Sequence, residues 1–322
     1  MAEPTPGGGA PSPPAWAAPD SRVEEPAATA VPVPGLAARP QGSRGRRGPE
    51  TPVPLRPMTV GDRVDGALRI LELAPATVVA LAAVALVPVH LATAVGLSGR
   101  ILNAAPEWDA MFGRPLVTVF TEEGSTVGIA FVLVALESLA LSFVTAGVTI
   151  LVTGWYVGIP RSAGHLIRSA AARLPALAAA WFLVHLAEAL FAIALVVPAL
   201  LPMIWFALVA PVIAVEGRGP IAALRRSFDL TKRSLSIVAG TCLLVAFIDL
   251  LLRASLAGIA LVFVETDLAA GRAIVAVIAL IVRLVTVPFV AGAAAMLYLD
   301  LRVRLEGLDI TLAADERLPV GP

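Results

Sequence analysis

Six long apolar runs dominate the chain, at roughly 76–96, 126–152, 174–197, 199–215, 235–264 and 273–299. Each is near the roughly 20 residues that cross the hydrocarbon of a bilayer. Nothing in that hydrocarbon can pair a free N–H or C=O, so runs of this kind must be helices. The third and fourth runs are parted only by Val197-Pro198-Ala199, with Pro202 close behind. A continuous apolar stretch from 174 to 215 is too long for one crossing, and prolines interrupt helices, so a tight hairpin is predicted there. Without that turn the crossings would number five and the C-terminus would change sides. The pattern therefore predicts an all-α polytopic transmembrane bundle of about six spans.

Between these runs the pattern changes to helical amphipathicity. In 59–73, Val60, Val64, Leu68 and Leu71 share one face, opposite Asp62, Asp65, Arg69 and Glu72. Thr59 followed by Asp62 is a start signal able to satisfy the first free N–H groups. In 220–233, Pro220 stands where a first helical residue would, and Ile221, Leu224 and Phe228 form an apolar stripe. The segment 161–173 is a poorer version of the same thing. All three are expected to lie in the cytoplasmic interface, with arginines reaching lipid phosphates. Each precedes a pair of spans, which suggests a thrice-repeated unit over 57–156, 160–217 and 218–304. Copies that return to the same side would be parallel, related by an axis along the membrane normal.

Composition agrees: 58% of residues are hydrophobic and 15% charged, where a soluble domain has about half and about a quarter. Residues 1–57 hold just over half of the 27 prolines and almost no periodicity, and are expected to be a disordered cytoplasmic tail. The membrane domain is placed at 58–310 and a short C-terminal tail at 311–322. No basic segment followed by an apolar one opens the sequence, so the first run is expected to be an uncleaved anchor. The single cysteine, Cys242, excludes an internal disulfide framework and a cysteine zinc cluster.

Net charge is +0, but its distribution is informative. Arg63 and Arg69 precede the first span. Arg161, Arg168 and Arg173 lie between spans two and three, and Arg218, Arg225, Arg226, Lys232 and Arg233 between four and five. Arg302 and Arg304 follow span six. The alternate loops, 98–125 and 265–272, are poor in cations. The positive-inside rule then puts the arginine-rich side, and both termini, in the cytoplasm of a bacterial plasma membrane. Arg63, Arg69, Arg168, Arg225, Arg226 and Arg233 are the candidate contacts for anionic headgroups or a partner protein.

Ionisable groups inside the spans cost at least roughly 2.5–3.5 kcal/mol each on insertion scales and seldom face lipid. They are Glu137, His185, Glu188, Asp249, Arg253 and Arg283, with His90 nearer a membrane face. At about 1.5 Å per residue, they lie about 9 to 15 residues in from the outer end of their spans, in one layer. Such a layer either fixes helix packing through buried ion pairs or lines a polar cavity for a headgroup, ion or proton.

The motifs of soluble catalysis are missing: there is no GxxxxGK[ST], HExxH or GxSxG. No catalytic residue, metal site, cofactor or nucleic-acid partner is expected. Three stretches carry a resemblance: Pro54-Leu55-Arg56-Pro57 leading into GDRVDGALRILEL, APVIAVEGRGPIAALRRSFDLTKRSL at 210–235, and LYLDLRVRLEGLDI at 297–310. They resemble an actinobacterial membrane-protein family, the glycerophosphoryl diester phosphodiesterase membrane domain, over about 54–310. Some members of that family carry a catalytic barrel that opens with His-Arg-Gly; no such triplet occurs in this sequence. The resemblance thus implies a phospholipid setting and no catalytic residues. The expected function is a non-enzymatic, lipid-contacting membrane protein. The alternatives are a transporter or permease using the charged layer and, less favoured, an intramembrane enzyme.

Overall fold

In the computed structural model the described residues are 51–96, 124–194, 196–264 and 269–317. Every regular element among them is a helix: α1 (Val60–Leu73), α2 (Pro75–Gly96), α3 (Gly124–Tyr156), α4 (Ala163–Ala172), α5 (Leu174–Ala194), α6 (Val196–Trp205), α7 (Val209–Glu216), α8 (Pro220–Thr231), α9 (Leu235–Val264), α10 (Ala269–Glu306) and α11 (Leu308–Arg317). Residues 1–50 of the expected tail, and most of the expected outer loops 98–125 and 265–272, lie outside the described residues.

Five helices, α2, α3, α5, α9 and α10, are long and apolar enough to cross a membrane. The expected fourth span is the exception. Its apolar run is not one helix but two, α6 and α7, about 15 and 12 Å long. The sequence signal behind the break is Pro211, whose ring would clash with the Ala207 carbonyl of a continuous helix. Pro211 instead falls in the first turn of α7, where a missing N–H costs nothing.

The chain does double back between α5 and α6, but the turn is not at the predicted Val197-Pro198-Ala199: those residues lie inside α6, with Pro198 in its first turn, where no N–H is needed. Arg173, just before α5, donates to the Ile213 carbonyl at 3.3 Å, and the rings of Phe191 and Trp205 meet edge to face at 6.0 Å. Both contacts require the chain to double back after α5. The broken pass therefore returns to the end of the bundle from which α5 set out.

The same end gathers the start of α1, the ends of α3, α7 and α10, and the start of α9. The Tyr156 hydroxyl donates to the Val53 carbonyl at 2.5 Å. Tyr298 reaches Glu216 at 3.2 Å, and Arg63 reaches the Ile237 carbonyl at 3.4 Å. Val53 and Met58 are buried, so residues 52–58, assigned by composition mainly to the loose tail, are packed onto the bundle. Beyond Gly307 the chain resumes a helix, α11, through most of the expected C-terminal tail.

α3 and α10 form the centre, with 61% and 50% of their apolar stretches buried against 11% for α5. Small residues allow the approach. A Cβ on Gly147 would stand 2.4 Å from Leu81 of α2, and one on Gly292 3.2 Å from the Ala67 backbone of α1. Close small-residue contacts replace the hydrophobic effect where the surroundings are as apolar as the side chains.

The amphipathic helices appear where periodicity puts them, with α1 closed by the expected capping box of Thr59 and Asp62. Their packed faces differ from the apolar stripes. α1 buries Arg63, Gly66, Ala67 and Ile70, while Leu68 is 47% exposed. α8 buries Ala223, Ser227, Leu230 and Thr231, while Ile221 is 61% exposed. Small and hydrogen-bonding residues share the packed faces with Ile70 and Leu230, while Leu68 and Ile221, members of the apolar stripes, face outward.

Candidate functional site

Arg63 is the first correction among the expected lipid contacts. It is 1% exposed. Its guanidinium donates to the carbonyls of Thr59 and Met58, both at 3.2 Å, and to the Thr241 hydroxyl of α9. Asp300 of α10 stands 3.7 Å away. That carboxylate also accepts the Met58 N–H at 2.6 Å and Arg304 at 2.9 Å, and Arg304 closes the ring on the Met58 carbonyl at 2.6 Å. Burial pulls the Arg63 pKa down from its free value while Asp300 opposes that. With so many acceptors the cation stays charged. Arg63 joins α1, α9 and α10 and has nothing left for lipid.

Arg226 is the second correction. It bonds Glu216 at 3.0 Å and also Glu306, linking α8 to α7 and α10. Glu216 accepts Arg218 at 2.5 Å as well, and Arg302 bonds Glu306 at 3.0 Å and lies over the Tyr298 ring. Desolvation raises the Glu216 pKa, and the hydrogen bonds from Arg218 and Arg226 more than offset it, leaving the carboxyl below its usual range. The other expected contacts, Arg69, Arg168, Arg225 and Arg233, are exposed at this end. Arg69 pairs with Glu72 at 3.1 Å, and Arg168 donates to the Gly164 carbonyl of its own helix at 3.2 Å.

The break between α6 and α7 is closed by α8. The Ser227 hydroxyl accepts the Leu208 N–H at 3.2 Å and donates to the Trp205 carbonyl at 2.8 Å. Thr231 donates to the same carbonyl at 3.1 Å. Both hydroxyls are fully buried, so they supply the partners that lipid could not.

Beside the break is a cavity of roughly 360 Å³, walled by α3, α5, the α6–α7 junction, α9 and α10. That is within the range of small-molecule sites. Several of its polar side chains are spent on their own surroundings. Ser142, Thr145 and Thr241 donate to carbonyls of their own helices at 3.2, 2.7 and 2.7 Å. Trp181 Nε1 donates to Ser138 at 2.5 Å, and His185 Nδ1 meets the Trp181 carbonyl at 3.0 Å. The walls therefore present mostly carbon.

The expected charged layer resolves into separate groups. Glu137 and Arg283 form an ion pair between α3 and α10. Glu137 stands nineteen residues before Tyr156 on α3, about 28 Å toward the far end of the bundle. His185 and Glu188 sit 3.9 Å apart on α5. His185 and Asp249 both line the cavity, eleven residues into α5 and fourteen into α9, about 16 and 21 Å from the arginine-rich end. Asp249 is 7% exposed. The side chain of Arg253 lies outside the described residues. Glu137, Glu188 and Arg283 are not among the cavity walls. Of the six residues expected to pair or to line a polar cavity, His185 and Asp249 line this one; its place beside a broken helix was not foreseen, and the visible signal for that was Pro211.

The class is thereby defined: a multi-pass α-helical membrane protein, tied shut at its arginine-rich end and broken open beside its fourth pass. Neither a protein-family model, nor a curated protein, nor a solved structure matches the chain.

Proposed function

We propose that this is a non-enzymatic bacterial plasma-membrane protein that associates with lipid, holding anionic headgroups at its arginine-rich end. That end and both termini lie on the cytoplasmic side, as the cation distribution requires under the positive-inside rule. The observation that carries the reading is the division of labour among the arginines. Arg63 and Arg226 are consumed inside the protein, while Arg168, Arg225 and Arg233 stand exposed on or beside short helices of the same end. Cations placed there are worth about 1 kcal/mol each toward an anionic leaflet. The resemblance to the phosphodiesterase membrane domain supports the same lipid setting. The test is recovery of bound lipid from protein purified out of native membrane. Wild type is expected to be enriched in anionic lipid, and a combined R168Q, R225Q and R233Q variant to lose the enrichment. Equal retention of phosphatidylglycerol and phosphatidylcholine by the wild type would overturn the reading.

A second reading, transport, is favoured by one observation: the fourth pass is a broken helix walling a cavity at membrane depth, a feature of many transporters. Loss of flux in a folded Asp249→Asn or His185→Gln variant, both in the cavity wall, would establish it over the first.

A further inference from the structure

We infer that the cavity holds the hydrocarbon tail of a lipid drawn sideways from the surrounding bilayer. The inference rests on the bundle lying in a membrane and is independent of the headgroup contacts proposed above.

Three observations combine. The first is chemistry. Ser142, Thr145, Thr241 and Trp181 have already committed their donors within the protein, and His185 Nδ1 meets the Trp181 carbonyl; apart from His185 and the buried Asp249 the walls are mostly carbon surface. An apolar cavity of this kind stays dry or takes an apolar guest. The second is the mouth. The cavity is open rather than sealed, and Met203 of α6 and Ala246 of α9, both lining it, are exposed. The third is depth. Ala246 stands eleven residues into α9, about 16 Å from its start, near the middle of a hydrocarbon layer about 30 Å thick. An opening at that level faces acyl chains and neither aqueous phase, so what enters is a tail. Phe206, Ala207 and Ala210, at and just after the break, form one wall of this space.

The experiment uses the full chain in phospholipid nanodiscs containing phosphatidylglycerol or phosphatidylcholine with a photoactivatable diazirine in one acyl chain. After irradiation, crosslinked residues are mapped by mass spectrometry. Crosslinks are expected at Phe206, Val245 and Ala293 inside the cavity, with either headgroup. Ala246→Trp at the mouth, or Ala294→Phe within, should abolish them while labelling of the outward-facing Val277 and Ile281 persists. The absence of interior crosslinks in wild type, or their survival in both variants, would overturn the inference. So would rapid modification of Cys242, which also lines the cavity, by a charged methanethiosulfonate reagent, since that requires water inside. Headgroup-independent crosslinking with no anionic enrichment would leave this inference standing while the headgroup reading fell.

Discussion

The arginine-rich end and the cavity lie in one bundle and solve opposite problems. At the end, charge is buried and every partner is supplied: Arg63 alone meets two carbonyls of its own segment, a third on α9, a hydroxyl and a carboxylate. At the cavity, Ser142, Thr145 and Thr241 donate to their own helices and Trp181 to α3, and a space is left. The first region spends backbone and side-chain partners on joining α1, α9 and α10. The second spends two hydroxyls of α8 on keeping a helix apart. Satisfaction of buried polar groups can thus close one part of a membrane protein and hold another open.

The largest effect that would break this comparison is at the clamp. Asp300→Ala leaves Arg63 buried without its carboxylate, and is expected to cost about 3–5 kcal/mol, read as a fall in the unfolding midpoint in detergent. The double variant Arg63→Met with Asp300→Leu should recover most of that. A single variant no less stable than wild type would mean the clamp is ornamental.

Next come two changes of middle size. Ser227→Ala removes the partner of the Leu208 N–H, with an expected cost of about 1–3 kcal/mol, and tryptophan emission should report a rearranged Trp205. Gly147→Ala drives a methyl into Leu81 and should cost about 1–3 kcal/mol, and its cost should be smaller in a Leu81→Ala background than in wild type. Equal cost in the two backgrounds would show that α2 and α3 are not held at the distance their small residues permit.

A smaller effect is pH-dependent. The folded Glu216 carboxyl lies below its unfolded value, so its contribution is complete above about pH 4.3 and drains away as pH falls toward the lowered folded value. Wild type should lose stability in that window more steeply than Glu216→Gln. The smallest effect belongs to the exposed cations. Arg225→Gln and Arg233→Gln should leave stability within about 0.5 kcal/mol while reducing retained anionic lipid.

Much of the fold was legible because length and hydropathy suffice to mark a crossing. Five of six predicted spans are single helices, and Thr59 and Pro220 marked true helix starts. What periodicity could not tell was which side of a helix meets protein. In water the apolar stripe turns inward. Here the packed face of α1 is Arg63, Gly66, Ala67 and Ile70, turned away from the predicted stripe, and Leu68 faces out. Arg63 was therefore misplaced: a guanidinium is assumed to seek the surface, and its partner Asp300 is 237 residues away in sequence. The Glu137–Arg283 pair was half legible, since opposite signs at similar depth could be matched but the register of α3 against α10 could not.

The two-piece fourth pass also constrains how the chain is made. Neither α6 nor α7 is long enough to stop in a bilayer by itself, and the carbonyl of Trp205 stays unsatisfied until α8 has been synthesised and docked. Biogenesis must therefore shelter this hairpin beside the insertion machinery until the downstream hydroxyls arrive. A chain truncated before residue 227 should stay inserted through α2, α3 and α5 while the Trp205–Leu208 junction becomes accessible to a water-borne label.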